Sequence, residues 1–272
     1  MTEPAVTVIR PVRGWVGFRL GELWSYRELL FFLAWRNVLI RYKQTVLGIA
    51  WAVLQPLFLM VVMTAFFGSF AKAAGVPGPI FYFAGLVPWA FFASSVAQSS
   101  NSLVGNANLI GKVYFPRLAA PISAVLAALA DFVFAFAVLV VMMLAYGIYP
   151  RPAAALVLPA LLLLTVVTAL GAGLWLSALN VAYRDVQYVV PFLIQIGLFA
   201  SLFATTIQSE PWQTLLGLNP MAGVVEGFRW ALLGAGTGFS SMAGLSVAVA
   251  ALLLVSGAVY FRHQERTFAD VI

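Results

Sequence analysis

Six apolar stretches, each about as long as a helix needs to cross a bilayer, constrain this chain more than any other feature. From Val46 to Ala71 there is no charged residue, and from Leu118 to Pro150 there is only Asp131. A hydrocarbon core of about 30 Å demands roughly 20 apolar residues of a helix, and a backbone without water around it must satisfy its amides internally. The pattern predicts an all-α integral membrane protein of one domain, 1–272, with spans at 46–71, 80–103, 118–148, 153–183, 186–208 and 243–261. Composition agrees: 63% of residues are hydrophobic and 9% charged, where soluble domains hold about 25% charged residues.

Several chemistries are excluded by what is missing. With 0 cysteines and one histidine, His263, the chain offers no thiolate, no Cys- or His-built metal site and no Ser-His-Asp triad. There is no Gly-x-x-x-x-Gly-Lys-Ser/Thr phosphate cradle, so ATP is not bound here in that manner. No paired carboxylates face the cytoplasm as a glycosyltransferase would require. No catalytic residue, metal or cofactor is expected. The net charge of +6 is assigned to loops at a membrane surface, and no nucleic-acid partner is expected, because the cations are not gathered on a soluble face.

The connections carry the remaining information. Residues 1–24 hold Arg10, Arg13 and Arg19 without the apolar core of a signal peptide, so the N-terminus is expected to form a cytoplasmic tail. Ser25 and Glu28 have the spacing of a capping box, which predicts a helix over 25–43. Phe31, Trp35, Val38 and Tyr42 form one stripe on it, with Arg36 and Lys43 on another face. This is read as an amphipathic helix in the cytoplasmic interface, its cations reaching lipid phosphates. The Gln55-Pro56 pair predicts a kink in the first span, and 72–79 an outer loop. In the second span, Ser94, Ser95, Gln98, Ser99, Ser100, Asn101 and Ser102 either glue helices together or line a hydrated path. Gly171 and Gly173 permit close approach of a neighbouring helix. Asp131 lies 14 residues beyond Arg117, about 21 Å along a helix, with no intramembrane cation evident in the sequence to pair with it. It is a functional candidate or a hydrogen-bonded structural group.

Two segments stand apart from the spans. Residues 105–117 form a compact semi-polar island between spans two and three, where a soluble partner can push on the membrane part. Residues 209–237 are too interrupted to cross. Pro211 and Trp212 suit one short helix, Asn219-Pro220 opens a second and Gly234 closes it, with Glu226 and Arg229 placed to pair at i, i+3. Two short re-entrant helices in the outer leaflet, forming a lid, are expected. With this topology 12 of the 15 Lys and Arg fall on one side, leaving Lys72, Arg151 and Arg229 on the other. That asymmetry puts both termini in the cytoplasm.

The order of short blocks resembles a known family. Arg41 to Trp51 with Gln55-Pro56, the island from Asn106 to Arg117, Asn180 to Asp185, Leu218 to Met221 with Phe228-Arg229, and Glu265 to Ile272 are similar to the permease subunit of bacterial ABC-type polysaccharide exporters. Those exporters move lipid-linked O-antigen or teichoic-acid-like chains. The resemblance covers residue 25 to the C-terminus, and implies a homodimer in the bacterial cytoplasmic (inner) membrane, joined by two copies of a separate ATP-binding subunit. It implies a coupling helix, gripped by that subunit, with Asn106, Asn108, Leu109, Lys112, Val113 and Tyr114. It further implies that Arg36, Arg41 and Lys43 meet the lipid headgroup, and that Tyr82, Trp89, Phe91 and Phe92 line a channel for the sugar chain. Trp212, Asn219, Pro220, Glu226 and Arg229 fall in the outer gate. Competing readings are a permease for a small molecule or drug and a membrane enzyme acting on polyprenyl-linked sugars. The first 24 residues and Asp131 belong to none of the family blocks.

Overall fold

The computed structural model describes residues 20–43, 45, 48, 50–112, 115–204, 217–235, 241–265 and 268. These form helices throughout: α1 Leu20–Ser25, α2 Arg27–Tyr42, α3 Ala50–Ala73, α4 Gly78–Gly105, α5 Ala107–Ile110, α6 Ala119–Ala145, α7 Ala154–Ala182, α8 Val186–Phe203, α9 Pro220–Leu233 and α10 Ser241–Gln264. Six of them, α3, α4, α6, α7, α8 and α10, are long and apolar enough to cross a membrane. They fall on the six predicted spans.

The bundle is built around α4, which packs against α3, α6, α7, α8 and α9. Within its most apolar window 72% of residues are buried, against 17% in α3 and 22% in α8, so α4 is the central post and those two are peripheral. Its hydroxyl-rich half allows this. Ser95, Ser99, Ser100 and Ser102 are all buried, and Ser100 and Ser102 donate to the carbonyls of Ala97 and Ser99 on their own helix at 2.8 and 2.7 Å. Small side chains that satisfy themselves let neighbouring backbones approach. Asn180 of α7 then donates to the Ser100 carbonyl and to Asn101 Oδ1, both at 3.0 Å. The polar run thus sits at helix contacts.

The expected close approach at Gly171 is present. A Cβ there would lie 2.7 Å from the backbone of Leu253 and Leu254 in α10, a separation no real side chain tolerates. Beside this crossing the Trp175 and Tyr260 rings stack at 4.3 Å, and Trp175 Nε1 donates to Ser256 Oγ at 3.1 Å.

Two local expectations are corrected. The capping box at Ser25 does not open α2. Ser25 ends α1, and Tyr26 occupies the N-cap without a side-chain cap bond, because the chain turns one residue later than the motif implies. A departure from helical angles in α3 that the sequence did not signal falls at Phe67 (φ −122°, ψ 15°), while Pro56 lies inside the helix. The Tyr82 hydroxyl donates to the Phe67 carbonyl at 2.6 Å, supplying a partner for a backbone group at the break. The outer loop is also shorter than expected, since α3 runs on through Lys72 to Ala73 and α4 starts at Gly78.

The orientation of α2 is the larger correction. Phe31, Phe32, Trp35, Leu39 and Ile40 are exposed, while Leu33 and Ala34 are buried against the bundle. The helix packs along α6. Its Arg36 and Arg41 turn inward to protein partners instead of outward to phosphates. A guanidinium held by amide and carboxylate oxygens avoids the desolvation penalty of lying unpaired beside apolar surface.

Candidate functional site: an aromatic cavity between two polar ends

A cavity of about 550 Å³ opens between α3, α4, α6 and α8. Trp89, Phe91, Phe132 and Phe199 give it aromatic walls, and Gln55, Ser94, Asp131 and Gln195 give it polar ones. Trp89 is held edge-on against α8 at Gly197, where a Cβ would lie 2.8 Å from the indole, and packs on Phe92 at 5.3 Å. Phe91 and Phe132 meet at 5.6 Å. Of the four rings expected along a channel, Trp89 and Phe91 reach this cavity. Phe92 is partly buried behind Trp89. Tyr82 sits elsewhere, 1% exposed in the packed core and bonded to Phe67, so its hydroxyl serves the bend in α3.

Asp131 forms part of the cavity wall, and the sequence did not reveal its partner. Arg41 donates to Asp131 Oδ2 and to Gln98 Oε1, while the Tyr42 hydroxyl donates to Asp131 Oδ1. The absence of an evident intramembrane cation is therefore corrected: the cation comes from the end of α2, ninety residues away in the chain. Burial lowers the Arg41 guanidinium below its ordinary value. Gln98 Nε2 in turn donates to Ser94 Oγ at 2.6 Å, so the cluster continues along the cavity wall. Its position between α2, α4 and α6 is a tertiary property that no local spacing encodes.

The island after α4 contains a single helical turn, α5, from Ala107 to Ile110. Asn106 precedes it without capping it. Its Nδ2 donates back to the Ser102 carbonyl at 2.7 Å, and its Oδ1 accepts from Arg36. Asn108 and Lys112 are exposed, whereas Leu109 is half-buried with Ile110 against Leu33, Phe115 and Ala119. Val113 and Tyr114 lie outside the described residues. Beyond the island, Arg117 donates to the Glu265 carbonyl and stands 5.9 Å from the buried Phe268 ring, joining the start of α6 to the end of α10. Lys43 is exposed at the end of α2.

At the opposite end, α9 forms as its sequence predicts. Asn219 caps it, its side chain accepting from Met221 N at 3.1 Å, Pro220 occupies the first turn, and Gly234 closes it with φ +71°. Only a residue without a Cβ takes that left-handed closure readily. Asn219 Nδ2 also donates to Ser201 Oγ of α8 at 2.8 Å. The helix is far more enclosed than an interfacial lid. Met221, Val224, Val225, Glu226, Phe228 and Arg229 are all buried against α4, α7, α8 and α10. Arg229 Nη1 donates to the Leu202 carbonyl at 3.0 Å and Nε to the Phe81 carbonyl at 3.3 Å. Burial lowers its guanidinium to about 10, with Tyr82 and Glu226 opposing the shift, so it stays charged at neutral pH. Trp212 and the first of the two expected short helices lie outside the described residues.

Among the described residues no three His, Cys, Asp or Glu side chains gather as a metal site. What the arrangement offers is an aromatic and amide-lined cavity in the membrane, an exposed turn at one end and an enclosed helix at the other.

Residues 28–233 match the family model described as ABC-2 type transporter. The chain is 33% identical over 213 residues to the O-antigen export system permease protein RfbA of Myxococcus xanthus, covering 76% of this chain and 81% of that protein. It is 26% identical over 257 residues to a protein of the same description from Klebsiella pneumoniae, covering 94% of this chain and 98% of the relative. The polysialic acid transport protein KpsM of Escherichia coli is 27% identical over 207 residues, 73% of this chain and 78% of its own.

Proposed function

Because the chain belongs to the ABC-2 type transporter family, we propose that it is the channel-forming permease of an ATP-driven exporter that moves a lipid-linked polysaccharide across the bacterial cytoplasmic membrane. The observation that carries this reading is the nearly end-to-end alignment with O-antigen export permeases, 94% of this chain on 98% of the relative. ATP hydrolysis belongs to a separate subunit, one copy of which docks on each permease at 105–117. The exposed Asn108 and Lys112 offer it polar contacts, and the half-buried Leu109 and Ile110 connect it to the bundle.

The cavity supports a sugar chain as cargo. Aromatic faces accept sugar rings of differing composition, and the amide and hydroxyl groups of Gln55, Ser94 and Gln195 accept from or donate to ring hydroxyls with little demand for sequence. Two copies complete the channel. The outward faces of α3 and α8 support this, for Phe58, Val61, Phe66, Phe192 and Ile196 are apolar, exposed and flank the cavity helices. Of the headgroup candidates, Lys43 is left to meet the lipid anion, since Arg36 and Arg41 are held by Asn106 and Asp131. The end carrying α5 faces the cytoplasm: among the described residues Arg27, Arg36, Lys43, Lys112, Arg117, Arg184 and Arg262 lie there, against Lys72, Arg151 and Arg229 at the other. On this reading α9 is the gate at the outer end.

The test is complementation. In a strain lacking its own O-antigen exporter, this permease expressed with its cognate ATP-binding subunit restores surface polymer of defined length. Failure with every polymer tried, together with rescue of a small-molecule efflux defect, overturns the reading.

A further inference from the structure

One helix, α2, touches both the exposed turn and the cavity wall, and it holds each through a guanidinium. Midway along α2, Arg36 donates to Asn106 Oδ1 at the root of α5, and Leu33 packs in the same apolar cluster as Leu109 and Ile110. Five residues later, about 7.5 Å along the axis, Arg41 donates to Asp131 and Gln98. Tyr42 takes the second Asp131 oxygen. Asp131 lies 12 residues into α6, about 18 Å from its start. The pair is largely desolvated, with 26% of the Arg41 side chain and 15% of the Asp131 side chain exposed.

A carboxylate with both oxygens engaged, facing a guanidinium with both terminal nitrogens engaged, does not yield gradually. In a low dielectric it is either assembled or broken, because each half alone is a buried unpaired charge. Elsewhere α2 is held by Leu33 and Ala34, which are buried against the bundle, while Phe31, Phe32, Trp35, Leu39 and Ile40 point outward, so Arg41 and Tyr42 fix its far end. We propose that Asp131 is a positioning residue that fixes the end of α2 to the cavity wall, so that α2 carries displacement of the 107–110 turn to the cavity as a rod carries a thrust. The proposal rests on the reading that an ATP-binding subunit docks at that turn.

The test uses the full exporter in lipid vesicles, with the cognate ATP-binding subunit and a polyprenyl-pyrophosphate-linked O-antigen of defined length, reading ATP hydrolysed and polymer exported in parallel. For Asp131→Asn and Arg41→Gln we expect assembly and ATP hydrolysis close to wild type, with polymer exported per ATP falling about tenfold. The double variant Arg41→Met with Asp131→Leu guards against misfolding, because apolar residues replacing a whole buried pair are often tolerated. It is expected to fold, hydrolyse ATP and show the same loss of export per ATP. Wild-type export per ATP in the double variant overturns the proposal, as does a loss of hydrolysis and export in equal proportion. Failure of the docking reading is seen separately, as wild-type protein that recruits no ATP-binding subunit and exports nothing, and the proposal then falls with it.

Discussion

The guanidinium carbon of Arg229 lies 4.0 Å from the centroid of the Phe81 ring, while its Nε donates to the carbonyl oxygen of that same residue. With Nη1 on the Leu202 carbonyl, one side chain of α9 fastens itself to α4 and α8 together. Arg229→Ala strands two buried carbonyls and removes the stacked plane, costing about 3 kcal/mol. Arg229→Lys recovers less than half, since an ammonium can neither fork nor stack. Thermal unfolding in lipid nanodiscs, followed by tryptophan fluorescence, checks this; equal melting temperatures for wild type and both variants contradict it.

The N-terminus of α9 makes a graded prediction. Asn219→Ala loses both the cap to Met221 and the bond to Ser201, and is expected to cost about 1–2 kcal/mol. Asn219→Ser keeps a capping hydroxyl and loses only the reach to Ser201. It is expected to fall between wild type and Asn219→Ala in the same melt.

Gly171 and Gly105 form a contrasting pair. Gly171→Ala drives a methyl group into the backbone of α10, so the variant is expected to lose folded protein in size-exclusion profiles. A Cβ at Gly105 meets nothing within 4 Å, so Gly105→Ala is expected to leave stability unchanged or slightly raised.

The two aromatic residues separated by the structure make opposite predictions. Tyr82→Phe removes one hydroxyl bond at the α3 break and should lower stability by about 1 kcal/mol, with export per folded molecule unchanged. Trp89→Ala removes the indole from the cavity wall and is expected to depress export more than stability. Surface polymer divided by membrane protein level separates the outcomes.

Exposed residues of the turn give the last prediction. Asn108→Ala and Lys112→Ala are expected to melt with wild type, because neither contributes to the packed interior, and to co-purify less ATP-binding subunit. Undiminished co-purification removes the docking assignment.

What the sequence made legible was whatever a single segment decides. Apolar length placed the six spans, and Asn219-Pro220 with Gly234 placed both ends of α9, because caps and closing glycines act over a few residues. Gly171 was readable for the same reason. Pairings across the fold were not. Arg41 and Asp131 are ninety residues apart, and nothing in the spacing of α2 distinguishes a cation turned to lipid from one turned to α6. Phe67 carries no breaking signal of its own, and its departure from helical angles is supported by Tyr82 from another helix. The Ser25 to Glu28 motif misled because such a motif states a preference, and the chain entered α2 one residue later.

The connection between α6 and α7 is tied to α9. The Arg151 backbone amide donates to the Ala231 carbonyl at 3.1 Å, its Nη2 donates to the Gly234 carbonyl at 3.2 Å, and its guanidinium stands 5.0 Å from the Trp230 ring. With Arg229 anchoring the same helix to α4 and α8, α9 is clamped at two points, to two spans and to the connection between two others. If this end is the exit proposed above, a polymer leaving there meets no hinged flap. On the proposed reading, passage there requires whole helices to separate.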